Sequence, residues 1–472
     1  MVTFNFQKTE KFLFGFLLFT LFWLPLSLGA NRPWAWALMQ MSFFLIGGIL
    51  LATHQSLLSK LYAQYKLLVI FWIAFLSWQL FNIVPLPFFL VEAIRPERVL
   101  ILLNENMGQL KDIKSQWLSL SFDVGQSNIT LFKSLSYCFL FFISLTLINT
   151  AERLRYTLIV ISAAGVFQAI YGSLEVLSGL KYSLVFKLPV SYIATGSFVY
   201  KNHYANFLLL CLSAAIGYMI ANLRIQVGSS HRERLRRIVH FWLSNKVLFR
   251  IGIIIMVIAL VMSRSRMGNS AFFIAMTITA TLGLIYFKPR QKNYVILFIS
   301  MLVIDILVVS SLFGLKQVQQ RIEQTNLAQE SRDEVITDAL PILNQHGILG
   351  TGGGTFYTVY PQFQSDTIQH FYDHAHNEYL QFIIEFGLVG AALSAALVLL
   401  CFKSAISAIR HRRHPLPRGV AFANVMAVIG MALHSTVDFP LQAPANTAIF
   451  IVLLALGALS RDIPMERNKL SK

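Results

Sequence analysis

The sequence predicts an all-α integral membrane protein of about 12 transmembrane helices, with one large segment outside the membrane between spans nine and ten. Three observations carry that expectation. The 472 residues are 56% apolar and only 13% charged, whereas an average soluble chain carries about 25% charged residues. The mean hydropathy is +0.61. The apolar excess falls in repeated blocks of about 20 residues, the length a helix needs to cross ~30 Å of hydrocarbon. Such a composition excludes a water-soluble enzyme.

Apolar windows place the spans at 12–29, 34–53, 67–86, 134–150, 156–177, 204–223, 247–263, 268–287, 293–314, 379–402, 419–437 and 446–460. The first block follows a short basic stretch, as a secretory signal does, but eleven further spans favour an uncleaved helix. With both termini cytoplasmic, 25 of the 39 Lys and Arg but only 5 of the 22 Asp and Glu fall inside. The positive-inside rule selects that orientation. The net charge of +17 therefore reflects topology. Its two basic loops, 224–250 and 403–418, read as orientation signals and contacts to anionic lipid heads rather than as a nucleic-acid surface. Residues 1–472 form one polytopic domain without a repeat or a low-complexity linker. Cys138, Cys211 and Cys401 lie inside apolar runs and carry no zinc or disulfide pattern. Three outer segments are long: 87–133, 178–203 and 315–378. The first holds two amphipathic stretches, 95–103 and 113–120, suited to lying along the interface.

Polar clusters at the outer ends are where chemistry belongs in so apolar a chain. Arg264 and Arg266 interrupt a tight outer turn, against the orientation rule. They read as an anion site, with a hairpin of snorkelling side chains as the alternative. Residues 330–341 have helical spacing, with Val335, Ile336, Ala339 and Leu340 as the apolar face and Arg332 near the start. The run Gly350-Thr-Gly-Gly-Gly-Thr-Phe356 lacks the Lys-Ser/Thr ending of a phosphate loop, so a nucleotide is not expected. It reads as a flexible turn or as a close approach of backbone to substrate. Residues 371–380, Phe-Tyr-Asp-His-Ala-His-Asn-Glu-Tyr-Leu, run into the tenth span. Asp373, His374 and His376 lack the further ligand and spacing of a zinc site, and no metal is expected. His376 stands at a helix start, where the peptide dipole disfavours imidazolium, so a neutral base beside an anion site is plausible chemistry. Gly387 and Gly390 read as helix-packing positions. Tyr379 reads as lipid-facing or packing. His434 and Asp438, four residues apart, read as a structural pair on one helical face. His203, beside Lys201 and Asn202, reads either as a polar helix entrance or as a contact to the substrate head group.

His376-Asn377, nine residues, Gly387, two residues and Gly390 resemble the His-Asn, spacer, Gly-x-x-Gly signature of the membrane O-antigen ligases and related polysaccharide polymerases of Gram-negative bacteria. Ser265 to Gly268, Gly196 with Asn202, Gly350 to Phe356, and His434, Asp438 and Phe439 support the likeness, which covers about 195–450. Met267 departs from it, standing where small residues are usual, and Arg264 adds a second arginine. The resemblance implies a GT-C-like membrane glycosyltransferase of lipopolysaccharide biosynthesis in the bacterial inner membrane. Such an enzyme moves a glycan from undecaprenyl diphosphate to an acceptor sugar at the periplasmic face, without metal, nucleotide or other cofactor. For a ligase the acceptor is lipid A-core; for a polymerase it is another carrier-linked repeat unit, and the signature does not separate the two. Polysaccharide-assembly partners fit either.

The charges then suggest roles. The departing diphosphate needs neutralising, which a guanidinium fork does well. Arg266 is the first candidate, Arg332 the second, with Arg264 or Lys201 assisting. His376 accepts the acceptor hydroxyl's proton, a role suited to an ordinary pKa near 6.5 and typically contributing ~10² to 10⁴ in rate. In-line attack predicts inversion. Asn377 caps the tenth span or orients its neighbour, while Asn202 and His374 contact substrate. A lipid-linked glycan transporter or flippase is the rival class, with Glu175, Asp305 and Glu385 as its intramembrane acids. An assembly scaffold is a third reading.

Overall fold

The computed structural model describes residues 6–54, 56–105, 117–190, 192–222, 245–286, 332–366, 368 and 371–462. Among them ten helices are long and apolar enough to cross a membrane. They are α1 (Phe6–Trp23), α2 (Pro33–Thr53), α3 (Leu57–Ile83), then, after two short helices α4 (Phe88–Ile94) and α5 (Pro96–Glu105), α6 (Val124–Leu147), α7 (Ala151–Leu177) and α8 (Lys201–Ala221). A shorter apolar helix follows, α9 (Asn245–Met262), and then α10 (Arg266–Tyr286). Two helices outside the spans, α11 (Arg332–His346) and α12 (Phe356–Val359), lead to α13 (Glu378–His411), α14 (Pro415–His434) and α15 (Pro444–Ser460). The chain is an all-α, multi-pass membrane protein. Eleven of the expected spans have a helix here, and the span expected at 293–314 lies outside the described residues.

Burial sorts the spans into layers. In α8 and α15, 94% of the apolar window is buried, and in α14 78%, against 33–50% in the other seven. A helix apolar all round belongs inside, so α8, α14 and α15 form the centre. The others ring them and turn their apolar faces to lipid, as Phe12, Leu45, Ile73 and Leu399 do.

Segments between the spans build a cap. α11 buries Val335, Ala339 and Ile342, at i, i+4 and i+7, against Phe122, Phe356, Tyr360, Ala375, Leu380 and Ile384. Leu340, expected on that face, points outward at 45% exposed. The first two turns of α13 thus pack in the cap, not in lipid. The helix breaks at Gly387 (φ 68°, ψ 174°), a conformation open only to glycine. The break releases carbonyls for other partners. Thr351 N–H donates to Ile384 O (2.7 Å), Gly352 N–H to Glu385 O (2.9 Å) and Trp78 Nε1–H to Phe386 O (2.7 Å). Gly387 is therefore a break in the helix as well as the close-packed position its sequence suggests, packed against Ile348 O and Gly350 N. Gly390 packs too, against Trp78.

The amphipathic stretch expected at 95–103 is helical, but Arg95 is 2% exposed and donates to Leu120 O and Gly350 O. Its guanidinium lies 5.6 Å from the Phe122 ring centre, and burial pushes its pKa down to about 10. It is a clamp inside the cap, not an interfacial residue. Of the stretch at 113–120, residues 113–116 lie outside the described residues, and Trp117–Leu118 pairs antiparallel with Leu86–Pro87.

Candidate active site

The start of α13 lies against the turn that joins α14 to α15. Asn377 is the N-cap residue, its side chain accepting from Leu380 N–H at 3.1 Å. Glu378 N–H, one of the orphan donors of a helix start, donates to Ser435 O (2.9 Å) and Asp438 O (3.1 Å). The Glu378 carboxylate accepts from Leu441 N–H (2.8 Å) and Gln442 Nε2 (3.1 Å). These bonds fix His376, just before the cap, relative to Asp438 and Phe439.

Phe439 is the centre of an aromatic cluster. His374 stacks on it with centroids 4.2 Å apart, and Tyr200 lies parallel to it at 5.5 Å and 7°. His376 and His203 meet it edge-on at 4.9 and 5.0 Å. Tyr372 meets His376 at 5.8 Å. Three histidines from two helix starts thus share one phenylalanine. Beside it, the Asp438 carboxylate accepts from Tyr200 Oη–H (3.3 Å) and from Asn202 Nδ2.

A polar relay joins this cluster to the glycine run. Gln381 Oε1 accepts from Ala375 N–H at 3.2 Å, which fixes the orientation of the amide. Its Nε2 therefore donates, to His374 Nδ1 (3.0 Å) and to Glu385 Oε1 (3.0 Å). His374 Nδ1 is an acceptor, hence unprotonated. Burial lowers the His374 pKa, against the opposing effect of Asp373, so the ring is neutral near pH 7. Glu385 in turn accepts from Gly354 N–H (2.9 Å) and Phe356 N–H (3.4 Å). The glycine run does bring backbone close to a partner, but that partner is α13 and its own carboxylate.

His376 adopts φ 50° and Arg264 φ 51°, a left-handed conformation that costs a side chain with a Cβ roughly 1–2 kcal/mol. Strain of this kind gathers at functional sites.

Of the residues singled out by sequence, the structure brings Asn202, His374, His376 and Asn377 together. Lys201 opens α8 next to Asn202. Arg264 and Arg266 are exposed at the α9–α10 turn. That turn is tied to the approach to α8 by Ala194 N–H donating to Met262 O (3.1 Å), and Gly268 packs on Ala205, one helical turn below Lys201. Arg332 opens α11, whose next turn packs on the segment carrying the histidines. His434 and Asp438 are not a pair on one helical face. α14 ends at His434, whose Nδ1 contacts Asn206 Nδ2 at 3.3 Å, and Asp438 turns to Asn202 and Tyr200. His203 is 5% exposed behind Phe439, which fits a support better than a contact to a head group. Tyr379 is half exposed and ties to Ala432 O at 2.8 Å. Sequence reasoning missed Tyr200, Gln381 and Glu378, and the central place of Phe439.

Glu175 and Glu385, the two transporter-type acids among the described residues, both accept backbone N–H groups: Glu175 from Leu184 (3.3 Å), Glu385 from the glycine run. Asp305 lies outside the described residues. A cleft of about 590 Å³ between α5, the end of α11 and Ile383 and Leu388 of α13 holds none of the clustered rings.

Residues 251–395 match the family model described as O-antigen ligase. No curated protein matches the chain.

Proposed function

We propose that this multi-pass membrane protein, which carries an O-antigen ligase domain at residues 251–395, transfers a glycan from a lipid-diphosphate carrier to an acceptor sugar, with His376 as the base. The observation that carries the reading is His376 itself. It sits strained at the start of α13, edge-on to Phe439 and fixed through Asn377 and Glu378, within the matched segment. A hydroxyl attacking an anomeric carbon loses its proton as the bond forms, and a neutral imidazole at hydrogen-bond reach takes it. Asn377 holds the backbone on one side of the imidazole. Phe439 holds its ring on the other.

The departing lipid diphosphate carries its own charge away and needs neutralising more than protonation. Arg266 is the first candidate and Arg332 the second, with Arg264 and Lys201 assisting. Arg266 and Lys201 each open a helix, where the peptide dipole also favours an anion. Direct displacement inverts the anomeric centre. Asn202 and His374 contact the sugar, and no metal, nucleotide or other cofactor enters the scheme. The site faces the periplasm of the inner membrane, a reading that the excess of Lys and Arg in the loops assigned to the other side supports. The acceptor is lipid A-core, in keeping with the family description; another carrier-linked repeat unit, the polymerase acceptor, uses the same chemistry.

The test is the purified full chain in detergent with a labelled undecaprenyl-diphosphate-linked glycan and lipid A-core. Label reaching the acceptor without a sealed membrane supports transfer, because transport needs two compartments. Label moving only across a sealed vesicle, with no new glycosidic bond, rejects the reading in favour of a flippase.

A further inference from the structure

α6 begins at Val124 and is capped by Asp123, whose Oδ1 accepts from Gln126 N–H at 3.0 Å. Its first turns stand beside the glycine run: Ser127 Oγ–H donates to Gly353 O (3.2 Å), and Thr130 packs on Gly353 and Gly354. Lys133 follows Thr130 on the same face of the helix. One turn further, Tyr137 reaches Thr447 of α15. Lys133 therefore stands on the face that looks into the ring of helices, and it is half-buried.

Its ammonium lies 5.3 Å from the ring centre of Trp36. Its charge is felt by His374 and by Glu385. Yet no carboxylate pairs with it among the described residues. Its ammonium makes no hydrogen bond there either. A lysine within an apolar helix is costly unless something neutralises it, and such residues mark the path of a charged ligand. Two N–H groups of the glycine run, those of Gly354 and Phe356, are already taken by the Glu385 carboxylate.

The neighbours of Lys133 place it relative to the site. Lys133 is level with Trp36 at the start of α2, and lies about one turn below the glycine run that meets α13 at its break, Gly387. That is the level at which α13 leaves the cap for the apolar part of the protein. We propose that Lys133 binds the diphosphate of the lipid-linked donor from inside the helix ring, beside His374. The inference rests on the glycan-transfer reading above and adds a contact from α6, outside the matched segment.

The test uses the full-length protein in phosphatidylcholine nanodiscs, titrated with undecaprenyl diphosphate and with the uncharged prenol. Lys133→Met and Lys133→Gln are expected to weaken diphosphate binding about 10- to 100-fold, with Lys133→Arg within about threefold of the unmodified chain. Unchanged affinity in the two neutral variants overturns the assignment. Phosphatidylglycerol competing as well as the diphosphate also overturns it, because the site then takes an ordinary lipid head group. A second measurement needs no variant: the diphosphate, but not the prenol, should slow acylation of Lys133, and an unaltered rate overturns the proposal. Failure of the underlying reading looks different, since the unmodified chain would then bind prenol and diphosphate alike.

Discussion

His374 and Phe439 stack with ring centres 4.2 Å apart and planes 27° from parallel, although 65 positions separate them in the chain. The contact joins the segment before α13 to the turn before α15, and His376 and His203 close on the same phenylalanine. Replacing Phe439 by Leu removes the surface on which three imidazoles are set. Transfer should fall about 10- to 100-fold in kcat, with donor affinity nearly unchanged, because misplacing a catalytic group by ~1 Å costs on that order. Phe439→Tyr should keep most of the rate. The kcat/KM split in a detergent assay checks both.

The neutral state of His374 has a pH consequence. Burial holds its folded pKa below the unfolded value of about 6.5, so on acidification the unfolded chain takes a proton first. The stability this residue contributes is present above pH ~6.5 and is lost as pH falls from there through its folded value. His346, lowered by burial and by Arg95, acts in the same direction. Melting temperature against pH should fall less steeply below pH ~6.5 in His374→Asn than in the unmodified protein. Equal slopes would remove His374 from the acid limb.

Gly387→Ala should destabilise the protein by about 1–3 kcal/mol from the backbone alone, because φ 68°, ψ 174° is essentially closed to a residue with a Cβ. A Cβ there would also stand 2.2 Å from Ile348 O. The loss should appear as a lower melting temperature in detergent. The same substitution at Gly390 should act through Trp78 packing instead.

Much of the fold is legible in hydropathy, because spanning helices must be apolar for about 20 residues. The central features are not, and each for a physical reason. A hydropathy window starts the fourth span at 134 and so discards Lys133, whereas α6 begins ten residues earlier at a cap supplied by Asp123. Glycine in an apolar helix ordinarily serves packing, so nothing local marks Gly387 as a break. The break depends on distant donors, Thr351, Gly352 and Trp78, that take up the released carbonyls. His376 and Asn377 are legible because a helix start writes itself in sequence. Phe439 is not, because what surrounds it comes from positions 200, 203, 374 and 376. The spacing of His434 and Asp438 misleads because α14 ends between them.

Glu385 holds the glycine run through Gly354 and Phe356. Glu385→Ala should orphan these buried donors at about 1–3 kcal/mol each, while Glu385→Gln keeps one acceptor oxygen and should lose less. Limited proteolysis within 350–356 should be faster in the alanine variant than in the glutamine one.

The most direct test of the account is single-turnover transfer by purified His376→Ala, with labelled lipid-diphosphate glycan bound in advance. The account predicts donor binding and protein yield close to those of the unmodified chain, with the rate of glycosidic bond formation lower by about 10² or more. Transfer at the unmodified rate in that variant would contradict it.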